Sequence, residues 1–193
     1  VAEPLHLYDC VMPCSGAEGF LVMSEARAKS CDLPYARLLA AMERHNAFPE
    51  EEIQFSGGWP LDREALYEAA GMGPGDMAFL QAYDDYPVIV MLQLEGLGFC
   101  AIGEAPAFVR ETALGTEGGG LPLNTGGGQL SLGQAGAAGG FLGLTEGLRQ
   151  VTGRALGLQV PDAHVGLVSG YGTVNYDRGL SSSAVILGAG GGR

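Results

Sequence analysis

The stretch MAFLQAYDDYPVIVMLQLEGLGFCAIGE, residues 77–104, holds a strand, a loop and a helix in immediate succession. Met77 to Gln81 is a compact apolar run of strand length. Ala82-Tyr83-Asp84-Asp85-Tyr86 is too polar to continue it, and Pro87 falls where the first position of an apolar helix over Val88 to Leu97 would be. Gly98-Phe99-Cys100 ends that helix. A strand feeding a helix through a short loop predicts an α/β fold. The loop then lies at the carboxyl end of a strand, where open α/β sheets bind their ligands and rigid elements hold the loop on both sides.

Working outward toward the N-terminus, Asp62 to Ala70 reads as a helix with acidic residues in its first turn and Gly71 closing it, and Gly73-Pro74-Gly75-Asp76 as a turn. Between Cys31 and Trp59 the signals are mixed: Leu38, Leu39 and Met42 suggest a packing face, helical or extended, and Pro49-Glu50-Glu51-Glu52 a solvated loop. Phe20-Leu21-Val22-Met23 reads as a short strand, followed by Ser24 capping a helix that begins Glu25-Ala26-Arg27.

Toward the C-terminus, residues 103–128 are loop-rich, with Gly118-Gly119-Gly120 and Gly126-Gly127-Gly128 flanking Leu121-Pro122-Leu123-Asn124-Thr125. The second glycine triplet lacks the Lys and Ser/Thr of a P-loop and reads as a tight turn. From Gly133 to Val151, Ala and Gly stand where a surface helix would carry Lys and Glu, which predicts a helix buried on nearly every side. Two strands, Ala163 to Ser169 and Ser183 to Leu187, close the chain, joined by a Gly/Tyr-rich connection over Gly170–Gly179. Such a length is unusual for a hairpin loop and points to function.

The chain has 193 residues, enough for a sizeable core, and carries a net charge of −12 with no cluster of Lys or Arg. That balance argues against nucleic acid or an anionic membrane surface as a partner. Cys10, Cys14, Cys31 and Cys100 form neither a C-x-x-C pair nor a complete zinc set, so reduced thiols and no metal are expected. No apolar run approaches the ~20 residues that span a bilayer, and a cytoplasmic protein is expected. His6, His45 and His164 are solitary and read as packed or surface residues; Cys100, after an apolar helix end, reads as structural.

The order of motifs then becomes informative: a strand with an x-D-x-[FY] loop, Glu95-Gly-Leu-Gly-Phe-Cys-x-x-Gly-Glu104, Leu121-Pro-x-Asn124-x-x-Gly127-Gly128, a Gly/Ala-rich opening of a buried helix, and a Gly-rich segment near the C-terminus. Over Gly16 to Gly188 this resembles the thiolase superfamily, in its lipid-transfer-protein (sterol-carrier-protein-type) branch. The resemblance implies an α/β thiolase-like fold of αβαβα layers built from two related halves. This chain would supply mainly the C-terminal mixed-sheet half over residues 61–193, with residues 1–60 as the tail of the N-terminal half and a connecting segment. It also implies a homodimer.

Departures from the thiolase pattern narrow the expected chemistry. Where the family has a catalytic His in a G-H-P-x-G context, this chain has Gln134, which is no general base. Where the family has a second Cys, Ser169-Gly170-Tyr171-Gly172 carries no thiol, and the oxyanion-binding Asn or His is replaced by Tyr83. This pattern of losses resembles the steroid side-chain retro-aldolases of the same superfamily. The resemblance implies cleavage of a β-hydroxyacyl-CoA to a ketone and a short acyl-CoA, with tyrosines moving protons and no cofactor beyond the thioester substrate. It further implies a hetero-complex with a zinc-ribbon/OB-fold accessory protein that helps bind the CoA ester.

Retro-aldol cleavage needs a base for the β-hydroxyl proton and an electrophile for the enolate. The candidate catalytic residues are Tyr171, Tyr176, Tyr83 and Tyr86, and the candidate substrate-binding residues are Asp85, Asn124, Gly127, Gln134 and Gly172. Each tyrosine has packing as its competing role. Asp84 and Asp85 as an acid–base pair is a weaker idea, because Asp before a helix is usually a cap. Backbone N–H groups of the glycine loops and the positive end of a helix at Gly133 are expected to hold the enolate. The lost His and Cys leave a second reading, a catalytically inactive subunit that binds acyl-CoA or scaffolds a partner enzyme.

Overall fold

The computed structural model describes residues 3–52, 54–117, 119–175 and 178–191. A four-stranded mixed sheet organises the chain: β1 (Tyr35–His45), β2 (Leu80–Gln81), β3 (Val165–Asn175) and β4 (Arg178–Gly190), in the order β1-β4-β3-β2. β4 runs antiparallel to both β1 and β3, and β2 runs parallel to β3. The helices are α1 (Glu25–Ser30), α2 (Trp59–Ala70), α3 (Pro87–Gly96), α4 (Ala105–Glu111), α5 (Gly128–Leu132) and α6 (Gly139–Val151).

Side chains alternate across a strand, so neighbours in β3 and β4 serve opposite faces. Leu167 and Ile186, both fully buried, join Trp59, Leu66, Leu80, Leu94 and Leu97 under α2 and α3. Val168 and Leu187 join Phe79, Val151 and Val160 under α6. Two apolar clusters thus sandwich one sheet between helical layers, the arrangement an α/β chain needs to bury both faces.

Several local expectations hold, each for a visible reason. Pro87 is at the start of α3, where its missing N–H costs nothing. Gly71 closes α2 in the left-handed conformation, and the Ser24 hydroxyl accepts from the Arg27 N–H as the cap of α1. Others are corrected. Phe20–Met23 forms no strand; it runs extended beside α6 with Leu21 and Val22 more than four-fifths exposed, and lines an apolar groove. β2 is only Leu80–Gln81, although Ala78 and Phe79 add single bonds to Val165 and Leu167. The mixed segment before Trp59 contains the edge strand β1, whose Arg37, Glu43 and Arg44 face solvent. Residues 103–128 contain α4.

The helix expected from Gly133 begins at Gly139 and buries one face only, with Phe141 46% exposed. The Gly170–Gly179 connection is not a loop over its described residues. Gly170, Tyr171, Gly172 and Val174 pair with Ser183, Ser182, Ser181 and Gly179, so β3 and β4 form one long hairpin. The glycines there make room for packing: a side chain at Gly179 would occupy the space of the Tyr171 ring.

Candidate functional site

The loop after β2 is held by two side-chain amides that continue the sheet where its backbone ladder ends. Asn124 Oδ1 accepts the Ala82 N–H at 2.7 Å. Gln93, fully buried in the middle of α3, accepts the Tyr83 N–H at 3.0 Å and donates to the Tyr83 carbonyl at 2.7 Å. Asn124 belongs to a second loop, pinned to α6 through Thr125, whose hydroxyl donates to the buried Glu146 carboxylate at 2.8 Å and accepts from Gln81.

Asp84 points away from solvent into the start of α5 and is 4% exposed. It accepts the N–H groups of Gln129 at 2.7 Å and Leu130 at 3.3 Å. Burial pushes its carboxyl above the usual range, and those backbone donors oppose the shift. The tight glycine turn exists for this carboxylate: Gly127 and Gly128 have φ of +95° and +63°, and a Cβ on Gly128 would fall inside the Asp84 side chain. Asp84 is therefore a structural acceptor at the start of α5 and not the cap of the helix that follows it, since α3 has no side-chain cap bond.

Tyr83 and Gln134 come together across 51 residues of sequence. Gln134 Nε2 donates to the phenol oxygen at 2.7 Å, which leaves the phenol's own O–H as a donor, and the Gln129 side chain also acts on this phenol. The two line or adjoin a narrow cleft of about 40 Å³ between the loop and the start of α6. Residues 11–14 are tied to this loop and to Gln134: Val11 donates its N–H to the Asp85 carbonyl, Gln134 to the Met12 carbonyl and Cys14 to the Gln134 carbonyl.

Tyr171 belongs to a different hydrogen-bonded group on the same sheet. Its phenol donates to Gln54 Oε1 at 2.8 Å and accepts the Gly179 N–H at 3.0 Å, and its ring stacks on Trp59 with centroids 5.9 Å apart. Asp85 is the electrostatic link, because its carboxylate raises both the Tyr83 and the Tyr171 phenol. One Asp85 oxygen is buried with no hydrogen-bond partner among the described residues.

Of the other expected site residues, Gly127 caps α5 and Gly172 pairs with Ser181 in the β3–β4 ladder. Tyr86 precedes α3, 37% exposed, with no side-chain cap bond. Tyr176 lies outside the described residues. The helix end expected at Gly133 is corrected to Gly139, and the start of α5 is already occupied by Asp84. Cys100 is a half-buried thiol raised by burial, and the three histidines are exposed. Gln54, Gln93 and Gln129 escape sequence reasoning. Only Gln93 has a signal, an uncharged polar residue inside the apolar run Val88–Leu94.

Burial is the largest cause raising both Tyr83 and Tyr171, and it raises Tyr67 further. Unfolded tyrosines ionise near pH ~10, before these three do, so the unfolded chain holds fewer protons there and stability falls as pH rises past that point. Denaturant unfolding at increasing alkaline pH should show this loss, with a late-titrating tyrosine fraction in phenolate absorbance. A flat stability profile would contradict the buried, neutral phenols.

Residues 44–189 match the family model described as thiolase C-terminal domain-like, and the chain belongs to that family. The chain is 34% identical to a steroid side-chain-cleaving aldolase of Thermomonospora curvata, covering 98% of this chain and 47% of that protein. It is also 34% identical to the 17-hydroxy-3-oxo-4-pregnene-20-carboxyl-CoA lyase of Mycobacterium tuberculosis, over 97% and 48%. The solved Ltp2-ChsH2(DUF35) aldolase aligns over all of this chain and 50% of its own, with a TM-score of 0.78 and 31% identity. The chain thus spans about half the length of the relatives it matches. Among the described residues no helix is long and apolar enough to cross a membrane.

Proposed function

We propose that this chain is the C-terminal half of a retro-aldolase acting on a β-hydroxyacyl-CoA, of the steroid side-chain kind named for its relatives. The observation that carries the reading is the Tyr83–Gln134 pair: at the two positions where the thiolase resemblance implies an oxyanion binder and a catalytic His, a cleft-lining phenol is hydrogen-bonded to an amide. This pair cannot run thiol chemistry. It can hold a thioester oxygen, because Gln134 polarises the phenol and the phenol O–H remains to be donated.

In this mechanism the β-hydroxyl loses its proton to a base, the Cα–Cβ bond breaks, and its electron pair passes to the thioester as an enolate. Protonation of the enolate carbon releases a short acyl-CoA, and the former hydroxyl carbon leaves as a ketone. Tyr83 donates to the enolate oxygen. The unpartnered Asp85 oxygen receives the substrate hydroxyl and takes its proton, and Tyr171, with Tyr176, relays that proton to the enolate carbon. Tyr86, Asn124, Gly127 and Gly172 complete the walls. No cofactor is required beyond the thioester. The working form is a cytoplasmic homodimer bound to a zinc-ribbon/OB-fold accessory protein; of this, the hetero-complex alone has support, from the Ltp2-ChsH2(DUF35) aldolase to which the fold is similar.

The test is to supply 17-hydroxy-3-oxo-4-pregnene-20-carboxyl-CoA to the native assembly and follow ketone release by mass spectrometry. Release is expected, and Tyr171→Phe should reduce it by about 10²-fold or more. Melting should change little, since Gly179 keeps its bond to Gln54 when the phenol is lost. Thioester binding without release would instead establish an inactive acyl-CoA-binding subunit.

A further inference from the structure

Gln93 hydrogen-bonds both the Tyr83 backbone and the side chain of Ser169, two residues before Tyr171 in β3. It sits in α3 at zero exposure, within the apolar run Val88–Leu94 and next to fully buried Leu94. A primary amide in such a place is costly unless every polar atom is satisfied. Here all are: Nε2 donates to the carbonyls of Tyr83 at 2.7 Å and Ile89 at 2.9 Å, and Oε1 accepts the Tyr83 N–H at 3.0 Å and the Ser169 hydroxyl at 2.6 Å. Two carbonyls on one side and two donors on the other fix which way round the amide stands.

The geometry has a consequence for the cleft. β2 ends at Gln81, so Tyr83 has no strand neighbour, and the Gln93 amide binds its N–H and C=O together as an adjacent strand would. Ser169 lies in β3 two residues before Tyr171, on the same face of the strand. One side chain therefore ties the Tyr83 backbone to the strand that carries Tyr171.

We propose that Gln93, with Ser169, is a positioning residue that sets the Tyr83 phenol relative to Tyr171, acting through Tyr83 and not on the substrate. The proposal rests on the aldolase reading. Misplacement of a reacting group by about 1 Å costs on the order of 10²-fold in rate, which sets the scale of the effect. Gln93→Glu keeps the shape and the two acceptor contacts but replaces both donors. Ser169→Ala removes only the link to β3.

In the native assembly, with the same steroid thioester, Gln93→Glu should lower kcat by about 10²-fold and Ser169→Ala by about 5- to 10-fold, with KM within about twofold. In a Tyr83→Phe background Gln93→Glu should add almost nothing, because the group it positions is gone. Equal losses with and without Tyr83, or a kcat for Gln93→Glu within about twofold of the parent, would overturn the proposal. Should the parent assembly release no ketone, the aldolase reading fails on its own. Gln93 is then decided by the Tyr83 phenolate titration, taken as the difference between parent and Tyr83→Phe. A shift of that titration in the charge-neutral Gln93→Met supports positioning, and an unchanged one excludes it.

Discussion

Tyr83→Phe is expected to lower the rate of carbon–carbon cleavage about 10²- to 10⁴-fold while KM for the thioester changes little. The phenol O–H is the donor that Gln134 leaves free at the cleft, and the enolate oxygen carries charge only as the bond breaks. An interaction made mainly in the transition state appears in kcat. Removing the hydroxyl leaves the Gln134 amide without its acceptor, a cost of about 1 kcal/mol at a half-buried site. Thermal unfolding should therefore move by only about 2–4 °C for a chain of this size. Steady-state kinetics on the native assembly decide the matter. A fall of less than about threefold would reduce Tyr83 to a wall residue and remove the central observation behind the aldolase reading.

Gly128→Ala should be the most damaging small substitution near the cleft. Its Cβ would intrude on the Asp84 carboxylate, and its φ of +63° is a conformation that alanine adopts at a cost of about 1–2 kcal/mol. Displacing a 4% exposed carboxylate from the Gln129 and Leu130 N–H groups adds about 2–3 kcal/mol. The sum, about 3–5 kcal/mol, corresponds to a melting drop of roughly 6–20 °C. Asp84→Ala removes the partner in the clash, so the double variant should be clearly less destabilised than the two single losses added together. Strict additivity in denaturant unfolding would mean that Gly128 and Asp84 do not share that space.

The cleft was legible in the sequence wherever chemistry follows from residue type at one position. Pro87 after a polar loop marked a strand end and a helix start, and the loop between them carries Tyr83 and Asp84. Gln134 and the thiol-free Ser169–Gly172 segment departed from the thiolase pattern of His and Cys without reference to any contact. Elements whose stability comes from elsewhere were not legible. Gly170–Asn175 mixes glycine and Asn with strand formers and is strand because β4 lies beside it. β1 has charged residues on its outer face and is strand because β4 pairs with its backbone.

By itself the sequence determined the α/β order of elements, the loop at the end of β2 and the set of reactive groups available, because these follow from local periodicity, turn chemistry and side-chain type. The tertiary structure alone decided what each phenol does with its proton. Tyr83 accepts from Gln134, 51 residues away, and keeps its O–H to donate, whereas Tyr171 gives its O–H to Gln54, 117 residues away. Those partners are uncharged amides with no spacing pattern to announce them. Packing on both faces of the sheet brings them into contact, and burial there keeps both phenols neutral.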